Sequence, residues 1–400
     1  MNKQQVVETD KQYYMPVFNR YDIVLSHGEG PYVYDIEGKK YLDFLAGIAV
    51  NLLGHAHPKL VAAIAQQAGK MIHCSNIYYT EVQATLVKKL AEVSGLDKVF
   101  LANSGAEANE GAIKLARKYA KTLDAKKVEI ISAQHCFHGR TLATLTATAQ
   151  PKYQEGLEPL PGGFKYVDFN DIEALKAIVT DKTCAILLEP IQGEGGVNMP
   201  DEQYLQQVRK LCDERGVLLI LDEIQTGMGR TGTMFAYQQY GIVPDIVTIA
   251  KGLGGGVPIG AFLASDKVAA AFHSGDHGST FGGNPLVCAA ANAVLAEIEQ
   301  AGLLKNAQQT GLYLRNALLK LKDKYPTIIT EVRGKGLMLG AQLTIEGRDI
   351  ANSCLDDGVI INCTAGNVLR FVPPLIIQPV HVDEMIVVLD KVLAKIQKAV

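Results

Sequence analysis

Apolar positions along this chain fall into two alternating textures. Short, nearly unbroken apolar runs occur at Lys98-Val-Phe-Leu-Ala102, Val128-Glu-Ile-Ile-Ser132, Cys184-Ala-Ile-Leu-Leu188, Val217-Leu-Leu-Ile-Leu221 and Asp245-Ile-Val-Thr-Ile-Ala-Lys251. Runs without polar alternation read as strands buried on both faces of a parallel sheet. Between them lie stretches of helical spacing. Residues 106–120 place Ala108, Ala112, Leu115 and Tyr119 on one face, and a further helix is predicted over 202–215. Ala261-Phe-Leu-Ala264 closes the series. Strand, helix, strand at this spacing predicts an α/β unit whose mostly parallel sheet is covered by helices on both sides.

The flanks differ from this middle. Residues 12–50 carry Gly28, Gly30 and Gly38 between alternating stretches, Tyr32-Val-Tyr-Asp and Lys40-Tyr-Leu-Asp-Phe, that read as hairpin strands. Helical spacing begins at Pro58, with Leu60, Ile64, Ala68 and Met71 in register, and a second helix is predicted from Glu81 to Val93. After Pro285 an alanine-rich helix runs to Gln300, and the texture then becomes more charged. The last helix carries Val382, Met385, Ile386, Leu389, Val392, Leu393 and Ile396 on one stripe. The expected division is residues 1–55 as an N-terminal arm with part of a small domain, 56–290 as the large domain, and 291–400 as the C-terminal small domain.

Composition narrows the function classes. A hydrophobic content of 48% over 400 residues is enough for a large core, and a net charge of −3 leaves no electrostatic footprint for nucleic acid. The N-terminus lacks an apolar leader and no long uncharged apolar stretch follows, which implies no membrane and a cytoplasmic protein. Seven scattered cysteines without a CxxC pair read as reduced thiols. The close pairs His135/His138 and His55/His57 raise zinc, but neither has a second cluster at ligand spacing, so no metal is expected.

Three features carry chemistry. Lys251 ends an apolar strand and is followed by Gly252-Leu-Gly-Gly-Gly256, so its amine leaves an apolar wall partly dehydrated, which lowers its pKa and suits it to Schiff-base formation. Asn103-Ser-Gly-Ala-Glu-Ala-Asn-Glu110 follows a strand and opens a helix, so its N–H groups can seat a phosphate. Asp222 ends the strand Leu218-Leu-Ile-Leu221. With no Gly-x4-Gly-Lys-Ser/Thr loop to make it a magnesium ligand, its carboxylate is free to hold a proton on a ring nitrogen. A phosphate seat, a carboxylate for a pyridine nitrogen and a dehydrated lysine are what pyridoxal 5′-phosphate requires. Arg140 and Arg370 lie where apolar segments break, and planar guanidinium groups there suit carboxylate binding.

From about Tyr13 onward the chain resembles the class III, fold type I, pyridoxal-phosphate aminotransferases. The resemblance rests on SNIYYTE (75–81), NSGAEANE (103–110), CFHGRT (136–141), LLEPIQGEGG (187–196), LDEIQTGMGRTG (221–232), AKGLGGG (250–256) and HGSTFGGNP (277–285), in that order. It implies a large domain with a mostly parallel seven-stranded sheet sandwiched by helices, and a smaller α+β domain. It also implies that Lys251 carries the cofactor. Ser104, Gly105 and Ala106 would hold the phosphate, joined by Thr280 of a neighbouring subunit in a homodimer with a shared site. Phe137 would stack on the ring, and Asp222, Glu223 and Gln225 would complete the cofactor contacts. Arg140 and Ser279 would meet an acylated substrate. Arg370, paired with Glu194 in the other half-reaction, would take the α-carboxylate of glutamate or 2-oxoglutarate.

The implied reaction is ping-pong transamination of the terminal amine of N2-acetylornithine with 2-oxoglutarate, a step of arginine biosynthesis that gives N-acetylglutamate 5-semialdehyde and glutamate. Members of the family that take free ornithine carry a tyrosine matching the segment Gly47-Ile48-Ala49 and another near Phe18. The apolar Ile48 and Phe18 imply an acylated donor instead. N-succinylornithine, N-succinyl-diaminopimelate and ornithine are the other amines this resemblance admits. A non-catalytic protein on the same fold would lack Lys251 or Asp222, and both are present.

Overall fold

The computed structural model describes residues 1–398; residues 399 and 400, which end the expected C-terminal domain, lie outside the described residues. The central sheet has seven strands: β4 (Lys98–Ala102), β5 (Glu129–Ala133), β6 (Phe164–Val167), β7 (Thr183–Leu188), β8 (Leu218–Asp222), β9 (Ile246–Ile249) and β10 (Gly260–Ala264). Their order across the sheet is β4-β10-β9-β8-β7-β5-β6. All run in one direction except β10, which is antiparallel to both neighbours. The sequence pattern predicts six of the seven. β6 escapes it because an edge strand is covered on fewer sides, and Phe-Lys-Tyr-Val is only half-buried until Val167. β10 reverses direction because residues 250–259 are too few for the crossover that a parallel neighbour needs.

Each central strand feeds two cores. Ala185 and Leu187 of β7, with Leu218 and Ile220 of β8, face the cluster of Ala112, Ile113, Leu115 and Ala116 on helix Gly105–Leu123. Ile186, Leu188, Leu219 and Leu221, their sequence neighbours, face the larger cluster on the other side of the sheet. This is the period-two alternation of a strand, made invisible to a simple polar/apolar reading because both faces are apolar. Helix Gly105–Leu123 lies close on the sheet through Gly111, where an added Cβ would collide with the Phe262 ring.

Two further four-stranded sheets flank the centre. One is built from β1 (Leu25–Glu29), β2 (Tyr32–Asp35) and β3 (Lys40–Asp43), and β13 (Val359–Ile360) joins β3 in parallel. The predicted N-terminal hairpins are thus present, tied to a strand from the far end of the chain. The other sheet has the order β11-β12-β15-β14, with β11 (Ile329–Lys335), β12 (Met338–Leu343), β14 (Asn362–Thr364) and β15 (Val368–Phe371). Helix Pro379–Gln397 buries Val382, Met385, Leu389, Val392 and Leu393, the predicted stripe. Among the described residues no single helix is long and apolar enough to cross a membrane.

The Gly111 contact is testable. Gly111→Leu adds a branched side chain where the Phe262 ring already sits, and overpacking of this kind costs about 1–3 kcal/mol. Denaturant unfolding should show that loss, and a variant as stable as its parent would mean that helix and strand do not meet there.

Candidate active site

The carboxyl ends of the parallel strands converge on one cavity of about 400 Å³. β4 delivers Asn103 and Ser104, β7 Glu189, β8 Asp222 and β9 Lys251, and the loop after β5 adds Phe137, His138 and Arg140. This is where an open α/β sheet offers free strand ends and helix N-termini to a ligand. Of the residues expected from sequence, Ser104, Gly105, Ala106, Phe137, Arg140, Glu194, Asp222, Gln225 and Lys251 all line this cavity.

Lys251 has φ +41°, a left-handed conformation uncommon for a residue with a side chain, and no hydrogen bond from its amine is found among the described residues. Burial lowers its pKa below the usual lysine value, with Glu194 and Arg370 pulling in opposite directions. Asp222 lies at the same strand parity as Leu218 and Ile220, so it faces helix Gly105–Leu123. There Asn109 Nδ2 donates to Asp222 Oδ2 at 2.8 Å, the His138 ring meets the same oxygen through Nδ1 at 2.8 Å, and the Ile224 N–H donates to Oδ1 at 3.0 Å. Burial works against a charge on His138, but the Cys136 sulfur and the Asp222 carboxylate outweigh it and raise its pKa well above the ordinary histidine value.

Ser104 caps helix Gly105–Leu123, its Oγ accepting from the Glu107 N–H at 3.2 Å. The N–H groups of Gly105 and Ala106 belong to the first helical turn, which has no internal acceptor for them. A Cβ on Gly105 would come within 2.7 Å of Ile224, so the seat is a cradle that only glycine leaves open. A helix N-terminus for an anion, a braced carboxylate, a free amine and the Phe137 ring fit pyridoxal phosphate, and these residues would hold it.

Arg370, on β15, is fully buried. Its Nη1 donates to Glu194 Oε1 at 2.5 Å and to Gln225 Oε1 at 3.2 Å, its Nε donates to Asn362 Oδ1 at 3.2 Å, and its Nη2 has no partner among the described residues. Glu194 lines the cavity and Arg370 does not, so the carboxylate stands between the guanidinium and the open space. Burial would raise the Glu194 pKa, but Arg370 and Lys251 hold it down to about 2. Arg140 is exposed at the mouth, its guanidinium stacked 3.7 Å from the Tyr153 ring centroid and without an ion pair among the described residues.

Three expectations meet a different arrangement. Glu223 is turned away from the cavity. Neighbours on a strand point to opposite faces, so with Asp222 facing one way Glu223 faces the other, accepting from Thr226 Oγ1 and from the Tyr237 N–H at 2.9 Å. Ser279 lies outside the cavity, in a separate hollow with Glu107, Glu110 and His277, its Oγ accepting from Asn103 Nδ2 at 3.1 Å; Thr280, expected to serve a neighbouring subunit rather than its own, lines the same hollow. Ile48 and Phe18 do not line the cavity of the single chain, and the residue of that segment that does is Val50. Asn109 and Glu189 were not among the expected site residues, and His138, weighed only as half of a zinc pair, instead braces Asp222. The signal for Asn109 was present, since an asparagine amid the apolar face of Ala108 and Ala112 needs a buried partner. Glu189 accepts from the N–H groups of Phe137 at 3.0 Å and Gly193 at 3.1 Å, and burial raises its pKa to about 7.

The family model "Aminotransferase class-III" matches residues 14–393. The chain is similar to the acetylornithine aminotransferase of Methanocaldococcus jannaschii, at 55% identity over all of both chains. Among solved structures it is similar to the ornithine aminotransferase of Toxoplasma gondii, with TM-score 0.96 and 34% identity, covering 100% of this chain and 95% of that one; that structure is described as having partial occupancy of PLP at its active site. It is also similar to the N-acetylornithine aminotransferase of Stenotrophomonas maltophilia K279a, with TM-score 0.85 and 40% identity over 98% of this chain and 100% of that one.

Glu223 gives a pH prediction. Burial raises its pKa from 4.5 to about 7. A carboxyl with a raised folded-state pKa costs nothing below its unfolded pKa, and the cost of ionising it in the folded state accumulates as pH rises from there to the folded value. Glu223→Gln removes that cost, so the stability of the variant relative to its parent should improve between pH 5 and pH 8 by on the order of 2–3 kcal/mol. Urea unfolding at the two pH values measures the difference, and a pH-independent difference would contradict the assignment.

Proposed function

Because the chain belongs to the class III aminotransferases, we propose that it transfers the terminal amine of N2-acetylornithine to 2-oxoglutarate, in arginine biosynthesis, with pyridoxal phosphate as cofactor. The observation that carries this reading is the pair of arginines in unlike settings. Arg370 is masked by Glu194, whereas Arg140 is free at the mouth. Glutamate brings a carboxylate next to the reacting carbon, and an acylated ω-amine brings a methylene there and its carboxylate several atoms away. Leaving Glu194 on Arg370 suits the second substrate, since a bare guanidinium against methylene groups is an unpaired buried charge. Swinging Glu194 aside suits the first, since the exposed fork can bind the incoming carboxylate.

Pyridoxal phosphate, when bound, supplies an electron-withdrawing ring that takes up the charge left as the substrate carbon loses its proton. Lys251 accepts and returns that proton, and burial, which lowers its pKa, favours the neutral amine that this requires. Asp222, braced by Asn109 and His138, holds a proton at the ring nitrogen. Ser104, Gly105 and Ala106 bind the phosphate, Phe137 covers one ring face, and Gln225 is placed beside Glu194 to meet the ring hydroxyl. Arg140, steadied by Tyr153, receives the distal carboxylate of the acylated donor.

The site is proposed to be completed in a homodimer, in which Thr280 of a neighbouring copy joins the phosphate seat and Ser279 reaches the acylated donor. Support comes from the absence of both residues from the cavity of their own chain and from the bare apolar stretch of Ile77, Tyr78 and Tyr79, with Phe281 exposed beside Thr280. A cytoplasmic location and the division at residues 55 and 290 belong to the same proposal.

A donor panel with 2-oxoglutarate as acceptor tests the reaction. N-acetylornithine should be used with a higher kcat/KM than ornithine, 4-aminobutyrate or N-succinyl-diaminopimelate, and a preference for any of these would reassign the substrate. Lys251→Ala should abolish turnover, and a variant with normal rates would remove Lys251 from the chemistry. Glu194→Ala should cut kcat/KM for N-acetylornithine about 10-fold to 100-fold while changing that for glutamate far less, since it leaves Arg370 unmasked. Equal losses in both half-reactions would discard the mask.

A further inference from the structure

Arg230 is a buried cation that the reaction above does not use. It is fully buried, has no carboxylate within ion-pairing distance among the described residues, and leaves Nε and Nη2 without partners. Its Nη1 donates to two carbonyls outside its own loop, that of Leu337 at 3.1 Å and that of Pro373. The Leu337 N–H in turn donates to the Arg230 carbonyl at 3.0 Å. A guanidinium with two idle donors in an apolar setting is less favourable than an apolar side chain of equal length. Its contribution is therefore sought in what the two carbonyls hold.

Leu337 immediately precedes β12, and Pro373 follows β15 by two residues. The two strands are paired there, Leu339 opposite Phe371 and Gly340 opposite Arg370. Prolines 373 and 374 have no N–H, so between the N–H of Val372 and that of Leu375 this segment can be tied only through its carbonyls. Arg230 supplies such a tie, three residues from Arg370. The same loop touches Arg370 itself, through Gln225 Oε1 at 3.2 Å. The loop after β8 thus grips β15 at two points, one on the guanidinium of Arg370 and one on the backbone beyond it.

We infer that Arg230 is a positioning residue for Arg370, setting where its guanidinium stands relative to Glu194 and Lys251 and thereby the enzyme's grip on the carboxylate next to the reacting carbon. This rests on the reading of Arg370 as the glutamate site. Loosening the tie lets the end of β15 shift. Bidentate carboxylate binding is sensitive to such a shift, while an acylated amine meets the guanidinium only behind Glu194, whose side chain can follow a small shift and keep the pair closed.

The test uses the cofactor-loaded enzyme in three forms, Arg230→Met, Arg230→Lys and the control Arg370→Met, with each half-reaction followed separately by absorbance. Equilibrium binding of glutarate, a dicarboxylate that cannot be transaminated, is measured by calorimetry. Arg230→Met should raise KM for glutamate and Kd for glutarate about tenfold, leave the N-acetylornithine half-reaction within about twofold, and not lower the melting temperature. Arg230→Lys, which keeps a donor, should recover part of the loss. A parallel fall in both half-reactions, no change in either, or failure of both variants to fold would overturn the inference, since Arg230 would then serve the scaffold or nothing. If Arg370→Met spares glutamate, the Arg370 reading itself fails and takes the inference with it. If Arg370→Met harms glutamate use and Arg230→Met does not, only the inference fails.

Discussion

An ammonium group taken out of water at the end of an apolar strand is unstable unless it loses its proton or finds an anion. Lys251 is held in that position at the end of β9, and the surrounding groups answer it. Burial lowers its pKa below the ordinary lysine value, with Glu194 favouring its charged form and Arg370 disfavouring it. The same carboxylate covers the buried guanidinium of Arg370. Three groups of alternating sign therefore share one small volume, and moving any one of them changes the charge felt by the other two. A substrate that brings its own carboxylate can replace Glu194 without leaving a charge exposed, and a substrate that brings none leaves the set intact.

The scaffold achieves this with strand ends. The carboxyl ends of the parallel strands open onto one cavity, so residues at or shortly after the strand ends meet there without any long excursion of the chain. Parity then decides which side chains take part. Asp222 faces helix Gly105–Leu123 and finds Asn109, whereas Glu223 faces the other core and becomes a buried carboxyl tied to the next turn. The N-terminus of that same helix opens onto the cavity, so one helix both braces the carboxylate and presents its unpaired N–H groups there.

The loop after β8 connects this centre to the outer sheet that carries Arg370. It follows directly on Asp222, meets Glu194 and Arg370 through Gln225, and fastens the ends of β12 and β15 through Arg230. Neighbouring residues of one short segment thereby join the cavity to the outer sheet.

Much of this was legible along the chain. Apolar runs and helical spacing located six of the seven central strands and two of the helices between them, Gly105–Leu123 and Tyr204–Arg215, because burial on both faces leaves an unbroken hydrophobic record. Lys251, Asp222 and the turn at Ser104 stood out because each breaks such a run with a group that needs a partner. Three things stayed hidden until the chain was folded. The edge strand β6 has too little burial to mark its sequence. The opposite orientations of Asp222 and Glu223 depend on strand parity, which two apolar faces conceal. The meetings of Asn109 with Asp222 and of Arg230 with Leu337 and Pro373 join segments more than a hundred residues apart. Local composition records which residues must be buried or paired, whereas the partner is chosen by where the sheets bring distant segments together.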